Sequence, residues 1–308
     1  MAANIVVLGS INMDLVVQCN ELPDRGETII ATSSSEVPGG KGANQAVSAS
    51  RAGGSVTMIG RVGSDAFGEK LLSHLRQDAV DITRTLQVSD CASGIALVTV
   101  ESSGENSIVV VPGANGRVTS GDVDKVKDVI AHADLVVVQL EIPLDAVREA
   151  IQIARTAGVP VLLDPAPMPE SLPDSLLNVD LICPNQSEAA ALVGRSVDSL
   201  KEAATAVPEL HRRGAKQVII TLGGLGTVVS DGVSCRSIPP FQISAVDTTA
   251  AGDAFAGALA VRWAEGAELF ESATFASAAG AIAATRPGAQ PSLPTRAEIE
   301  HMLSQRAT

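Results

Sequence analysis

The segment Asp247-Thr-Thr-Ala-Ala-Gly-Asp253, followed by the small-residue run Ala254-Phe-Ala-Gly-Ala-Leu259, places a carboxylate beside a glycine-bearing turn that opens a helix. Unpaired backbone N–H groups and the positive end of the helix dipole converge at such a turn, so an anion could sit against Ala250, Ala251 and Gly252. Asp253 beside that anion could take a proton from an attacking hydroxyl while the amides stabilise a transferring phosphoryl group. The plainer alternative is that Asp253 caps or charges the helix start.

Four further segments carry candidate chemistry. Gly39-Gly-Lys-Gly-Ala-Asn-Gln45 lets the backbone approach a ligand and offers Lys41 and Asn44 as donors to hydroxyls. It lacks the G-x-x-x-x-G-K-[ST] spacing of a P-loop. Asn12 and Asp14, two apart and just past an apolar run, present an amide and a carboxylate on one side of an extended segment, although both residues also favour turns. Pro184-Asn185-Gln-Ser-Glu188 opens a helix, and Asn185 with Glu188 could hold a hydrated Mg²⁺ or simply form a capping box. Thr221-Leu-Gly-Gly-Leu-Gly226 has glycines for close passage of a nucleotide but not the dinucleotide spacing.

The elements that must position these groups alternate. Apolar runs at 5–8, 56–59, 135–140, 161–163, 181–183 and 218–221 alternate with helical patterns at 42–52, 66–78, 144–157, 188–193, 199–213, 252–264, 268–284 and 295–304. Strands apolar on both faces and separated by helices predict a doubly wound, mostly parallel α/β sheet in one domain spanning 1–308. Residues 13–37 and 94–111 read instead as extended segments, the second turning at 101–105. They predict a small β-sheet lid whose apolar residues Ile95, Leu97, Ile108 and Val110 form an outer face suited to a homodimer.

Composition excludes whole classes of function. With 22 Lys and Arg against 35 Asp and Glu the net charge is −13, which repels nucleic acid. Cys19, Cys91, Cys183 and Cys235 have neither disulfide-framework nor metal-site spacing, and no signal peptide or membrane span is legible, so a cytoplasmic protein is expected. Aromatics make up 2% with no Tyr, so any nucleotide base should lie between aliphatic walls.

Taken together, GGKGANQA at 39–46 and DTTAAGDAF at 247–255, with the other segments in order from Gly9 to Ser292, resemble the ribokinase-type carbohydrate kinase family. The resemblance implies ATP-dependent phosphorylation of D-ribose at its 5-hydroxyl. It makes Asp253 the base and Ala250, Ala251 and Gly252 the anion hole. Asn12, Asp14, Gly40, Lys41, Asn44 and Glu141 become sugar ligands, and Asn185, Glu188, Thr221, Gly223, Gly226 and Ser277 lie at nucleotide and Mg²⁺ positions. It further implies a K⁺ site at Asp247, Thr249, Ala283, Arg286, Gly288 and Ser292; packing of the two loops through an Arg286–Asp247 pair is the alternative. Ser277 replaces a larger residue common in relatives, and Ala251 a frequent Gly. A kinase for another sugar or a nucleoside, and a non-catalytic sugar or nucleotide sensor, remain the competing functions.

Overall fold

The computed structural model describes residues 2–102 and 106–306; Ser103, Gly104 and Glu105 of the expected turn at 101–105 lie outside them. Thirteen strands are present among the described residues: β1 (Asn4–Leu8), β2 (Asn12–Cys19), β3 (Ser33–Gly39), β4 (Ser55–Gly63), β5 (Asp81–Val88), β6 (Gly94–Glu101), β7 (Asn106–Val111), β8 (Leu135–Val138), β9 (Val161–Leu163), β10 (Leu181–Ile182), β11 (Gln217–Thr221), β12 (Thr227–Ser230) and β13 (Cys235–Ile238). Nine of them form one sheet in the order β13-β12-β11-β10-β9-β8-β1-β4-β5. From β5 to β11 the neighbours are parallel, whereas β12 and β13 join antiparallel.

Alternation within the central strands divides the core. Ile5, Val7, Leu135 and Val137 face one layer of helices, including Lys41–Arg51, Ala251–Ala264 and Leu269–Ala284. Val6, Leu8, Val136 and Val138 face the other layer, which includes Leu144–Ala157 and Leu200–Arg212. Successive strand side chains point to opposite faces, so a strand covered on both sides must be apolar throughout. Two strands escaped the sequence pattern, as did the short helices Ser120–Asp124 and Lys127–Ala131. The edge strand β5, Asp-Ile-Thr-Arg-Thr-Leu-Gln-Val, is largely exposed and polar, and β13 buries only Ile238. Among the described residues no helix is long and apolar enough to cross a membrane, and all four cysteines are free.

A second sheet, β3-β2-β6-β7, stands where the lid was expected. Its register corrects the outer-face pattern. Ile95 and Leu97 pair with Val111 and Val109 on one face, while Ile108 and Val110 pair with Val98 and Ala96 on the other. Ile95 also packs against the main core, so the four residues do not form one outer face. Leu97, Ile108, Val109, Val110 and Val111 are nevertheless exposed.

Helices Lys41–Arg51 and Ala251–Ala264 meet at Gly257, where an added Cβ would lie 2.5 Å from Ser48 Cβ. Ser48 Oγ donates to the Ala254 carbonyl at 2.9 Å across the same seam. This close approach sets the two signature segments side by side. Gly257→Ala therefore destabilises the fold by about 1–3 kcal/mol through overpacking, read by denaturant unfolding. It also lowers kcat, because the helix that must shift carries Asn44.

Candidate active site

The candidate groups collect where parallel strands end at their carboxyl termini, the place in an open α/β sheet where loops diverge and leave a crevice. Gly9 and Ser10 follow β1, Glu141 follows β8, Asp164 follows β9, Asn185 follows β10 and Thr221 ends β11. Asn12 and Asp14 are not in a turn beyond β1, as spacing alone allowed; they lie on β2, a strand of the second sheet.

On the side of the second sheet, Asn12 is 2% exposed. Its amide nitrogen lies 3.5 Å from Glu141 Oε2, and the same carboxylate oxygen accepts the Lys41 backbone N–H at 3.2 Å and a hydrogen bond from Ser10 Oγ. Gly40 carries the chain past Asn12 with φ of +88°, and an added Cβ would sit 2.7 Å from the Asn12 nitrogen, so no other residue fits there. Asn44 Nδ2 donates to Asp253 Oδ2 at 2.9 Å, while Asn44 Oδ1 is buried without a partner among the described residues. Asp14 is pushed up to about 7 by burial and by the nearby Glu141 and Asp253 carboxylates. Lys41 is subject to the opposite balance. Burial disfavours its charge, but Asp253, Asp164, Glu188 and Glu141 outweigh that and hold the ammonium above its ordinary value.

Asp253 is 6% exposed and occupies the first turn of Ala251–Ala264, but it is not the cap. Ala250 holds that position in the left-handed region, with φ of 57° and no side-chain cap. The Ala251 N–H is engaged by the Thr248 carbonyl at 3.2 Å, so Gly252 and Asp253 supply the first-turn amides that remain open to an anion. Both line a cavity of about 190 Å³ with Lys41, Asp164, Asn185, Glu188 and Thr248. Asn185 and Glu188 do form a capping box, Asn185 N donating to Glu188 Oε2 at 2.7 Å and Glu188 N to Asn185 Oδ1 at 2.9 Å. The box and the cavity wall are the same two residues. Burial raises the Glu188 carboxyl against the Asn185 N–H and Lys41, with Asp253 adding to the rise.

A larger cavity of about 400 Å³ adjoins this one through Thr221, Thr248, Gly252 and Phe255. Gly223, Gly226, Ala251 and Ser277, four of the residues expected at nucleotide positions, line it. Its walls are not purely aliphatic, since Phe241 and Phe255 contribute two of the chain's five phenylalanines. Ser277 Oγ turns back to the Ala273 carbonyl at 2.8 Å. Beyond the turn, Asp247 Oδ2 accepts the Gly288 N–H at 2.8 Å, and Asp247 N–H donates to the Ala284 carbonyl at 3.2 Å, tying the two loops expected to form a cation site. Arg286 is directed away to Glu298 at 2.5 Å, so the alternative Arg286–Asp247 pair does not form. Ala283 and Ser292 are buried in the same region, and Thr249 N–H donates to Asp247 Oδ1. Those bonds hold the Asp247 carboxyl below its usual range despite partial burial.

The pfkB family carbohydrate kinase model matches residues 2–296. This chain belongs to that family. It is 41% identical to the ribokinase of Haemophilus influenzae over 304 residues, covering 98% of this chain and 99% of the relative. It is 38% identical to the ribokinase of Bacillus subtilis over 301 residues, with 98% and 99% covered. The structure of Arabidopsis thaliana ribokinase complexed with ribose and ATP superposes with a TM-score of 0.91 at 34% identity, covering 98% of this chain and 99% of that one.

Four residues of this candidate site escaped sequence reasoning. Asn115 is 1% exposed and orients Asn12, donating to its Oδ1 at 2.7 Å while accepting the Ile11 N–H at 2.9 Å. Asp164, Gln45 and Gln139 form a buried polar group beside Asp253. Asp164 was findable by the strand-end argument applied to Asn12 and Asp14, since it directly follows the apolar strand β9. The two glutamines and Asn115 left no comparable signal, because a buried amide looks like any other polar residue in a helix or loop.

Proposed function

We propose that this chain transfers the γ-phosphoryl group of ATP to the 5-hydroxyl of D-ribose, giving D-ribose 5-phosphate and ADP. The observation that carries this reading is the position of Asp253. One of its oxygens is held by Asn44 on the sugar side, and its own N–H, with that of Gly252, opens on the cavity that adjoins the nucleotide crevice. Asn12, Asp14, Gly40, Lys41, Asn44 and Glu141 orient the sugar, with the partnerless Asn44 Oδ1 ready to accept from a hydroxyl. Asp253 takes the proton of the 5-hydroxyl as its oxygen bonds to phosphorus and the bond to the ADP oxygen breaks. The first-turn amides stabilise the charge on the transferring group. Thr221, Gly223, Gly226, Ala251, Gly252 and Ser277 accommodate the nucleotide.

Asn185 and Glu188 suit Mg²⁺ arriving with ATP, because that ion takes few protein ligands and keeps several waters. When bound it neutralises phosphate charge. The whole chain works as a single kinase domain with the second sheet as its lid, and the free cysteines suit a cytoplasmic setting. Exposed apolar residues on both faces of β7 support a homodimer through the lid, and a monomer by light scattering would count against it.

A coupled ADP-release assay across ribose, deoxyribose, fructose, a ketogluconate and a nucleoside tests the reading. Highest kcat/KM with ribose is expected; no turnover with any acceptor would favour a sensor. Asp247, Thr249, Ala283, Arg286, Gly288 and Ser292 hold a monovalent cation largely through backbone oxygens, which preorganises the turn carrying the amides. At fixed ionic strength, K⁺ is expected to raise kcat over Na⁺ or a bulky organic cation, and the rise should vanish in Asp247→Ala. Equal rates in all three salts would remove the cation from the scheme.

A further inference from the structure

Gln45, Gln139 and Asp164 meet beside Asp253, Asp164 also lining the smaller cavity, and the scheme above uses none of them. Gln45 and Gln139 have no exposed surface. A buried amide is costly unless both its ends are paired, and here the pairing is directional. Gln45 Nε2 donates one hydrogen to Asp253 Oδ1 at 3.0 Å and the other to Asp164 Oδ2 at 2.6 Å. Gln45 Oε1 accepts from Gln139 Nε2 at 2.6 Å. The reversed amide would turn an oxygen toward the Asp253 carboxylate and, with Gln139 as it stands, an NH₂ toward another NH₂, so the surroundings favour this orientation, although Gln139 Oε1 is itself buried without a partner among the described residues.

The geometry points to Gln45 as a positioning residue for the phosphoryl-transfer base, fixing the plane of the Asp253 carboxylate through an amide that Gln139 and Asp164 hold in place. This rests on the reaction proposed above. A carboxylate gripped at one oxygen can still swing about its side-chain bond. Asn44 holds Oδ2 and Gln45 holds Oδ1, so both oxygens are anchored and the carboxylate plane is fixed where Asp253 lines the smaller cavity. The anchor reaches the base from the preceding signature's helix, one residue beyond Asn44. Gln139 directly follows β8, so the central sheet fixes its backbone. Displacing a reacting group by about an ångström can lower a rate by two orders of magnitude.

The test uses the full-length enzyme with ribose and MgATP. Gln45→Leu, which keeps bulk and removes both donors, is expected to lower kcat about 10- to 100-fold while KM for ATP stays within about twofold. Gln45→Asn keeps an amide but is one carbon too short, and should fall similarly; it serves if the leucine variant does not fold. The decisive measurement is the same change in an Asp253→Asn background. A residue acting through Asp253 has almost nothing left to affect there, so less than a twofold further loss is expected. Equal fold-losses in both backgrounds, or kcat within threefold of wild type in a folded single variant, would overturn the assignment. If the unmodified enzyme turned over no sugar, the proposed reaction would fail, and that outcome is distinct from either of these.

Discussion

Replacing Asp253 with asparagine lowers kcat by about 10²–10⁴, the contribution of a positioned general base, while the fold and the affinity for ATP largely survive. The substitution keeps the side chain's size and leaves the Gly252 and Asp253 backbone N–H groups in place. It does alter the local hydrogen bonding. Asn44 and Gln45 each donate to one Asp253 oxygen, and asparagine has only one oxygen to offer, so one donor must face another. A stability loss of about 1–3 kcal/mol follows from that mismatch. Losing a negative charge near Asp14 and Asp164 offsets part of it, because Asp253 raises the pKa of both. Steady-state kinetics with calorimetric ATP titration separates the two effects. Near-normal turnover in a folded variant would remove Asp253 from the mechanism.

Lys41→Met is expected to fall nearly as far, about 10²–10³ in kcat, and to lose stability in a pH-dependent way. Lys41 lines the smaller cavity with Asp253, Gly252 and Glu188, so its charge stands where phosphoryl charge would develop. It also offsets the surrounding carboxylates. Asp164 is pushed up to about 8 by burial, even though Lys41 pulls it down, with Glu188 and Asp253 adding to the rise. Without Lys41 that carboxyl rises further. Its folded pKa is above its unfolded one, so between those values the folded state holds the extra proton and stability declines as pH increases. The wild type should therefore lose stability from roughly pH 4 toward pH 8, and Lys41→Met should decline more steeply. Near pH 5, with Asp164 protonated, the gap should be smaller than at pH 8, though the other carboxylates that hold the Lys41 ammonium keep it above zero. At pH 8 the gap should reach roughly 2 kcal/mol, less than for a fully buried pair because Lys41 keeps some solvent contact. Thermal melts at both pH values check this, and a gap that narrowed as pH rose would contradict it.

Much of the fold was legible because its physics is local. Val-Val-Leu in β1, Leu-Val-Val-Val in β8 and Val-Leu-Leu in β9 are apolar at every position, and only a sheet covered on both faces accommodates that. The turn ahead of Asp253 was readable for the same reason, since a glycine-bearing turn and a following small-residue helix are properties of adjacent residues. β5 was not, because an exposed edge strand lacks the apolar signal.

The sequence by itself determined the sheet class, the two signature segments and the residue types available for phosphoryl transfer to a hydroxyl. Only the tertiary structure decided which groups meet. Gln45 and Asp253 are 208 positions apart, Gln45 and Asp164 are 119 apart, and Asn12 reaches Asn115 across 103. It also decided that Arg286 pairs with Glu298, that Asn185 and Glu188 form a cap and a cavity wall at once, and that the lid's apolar residues divide between two faces. Periodicity reports the face a residue presents within its own element. The partner it finds depends on sheet order, strand register and how closely Gly257 lets two helices approach, and those are set by packing between segments far apart in the chain.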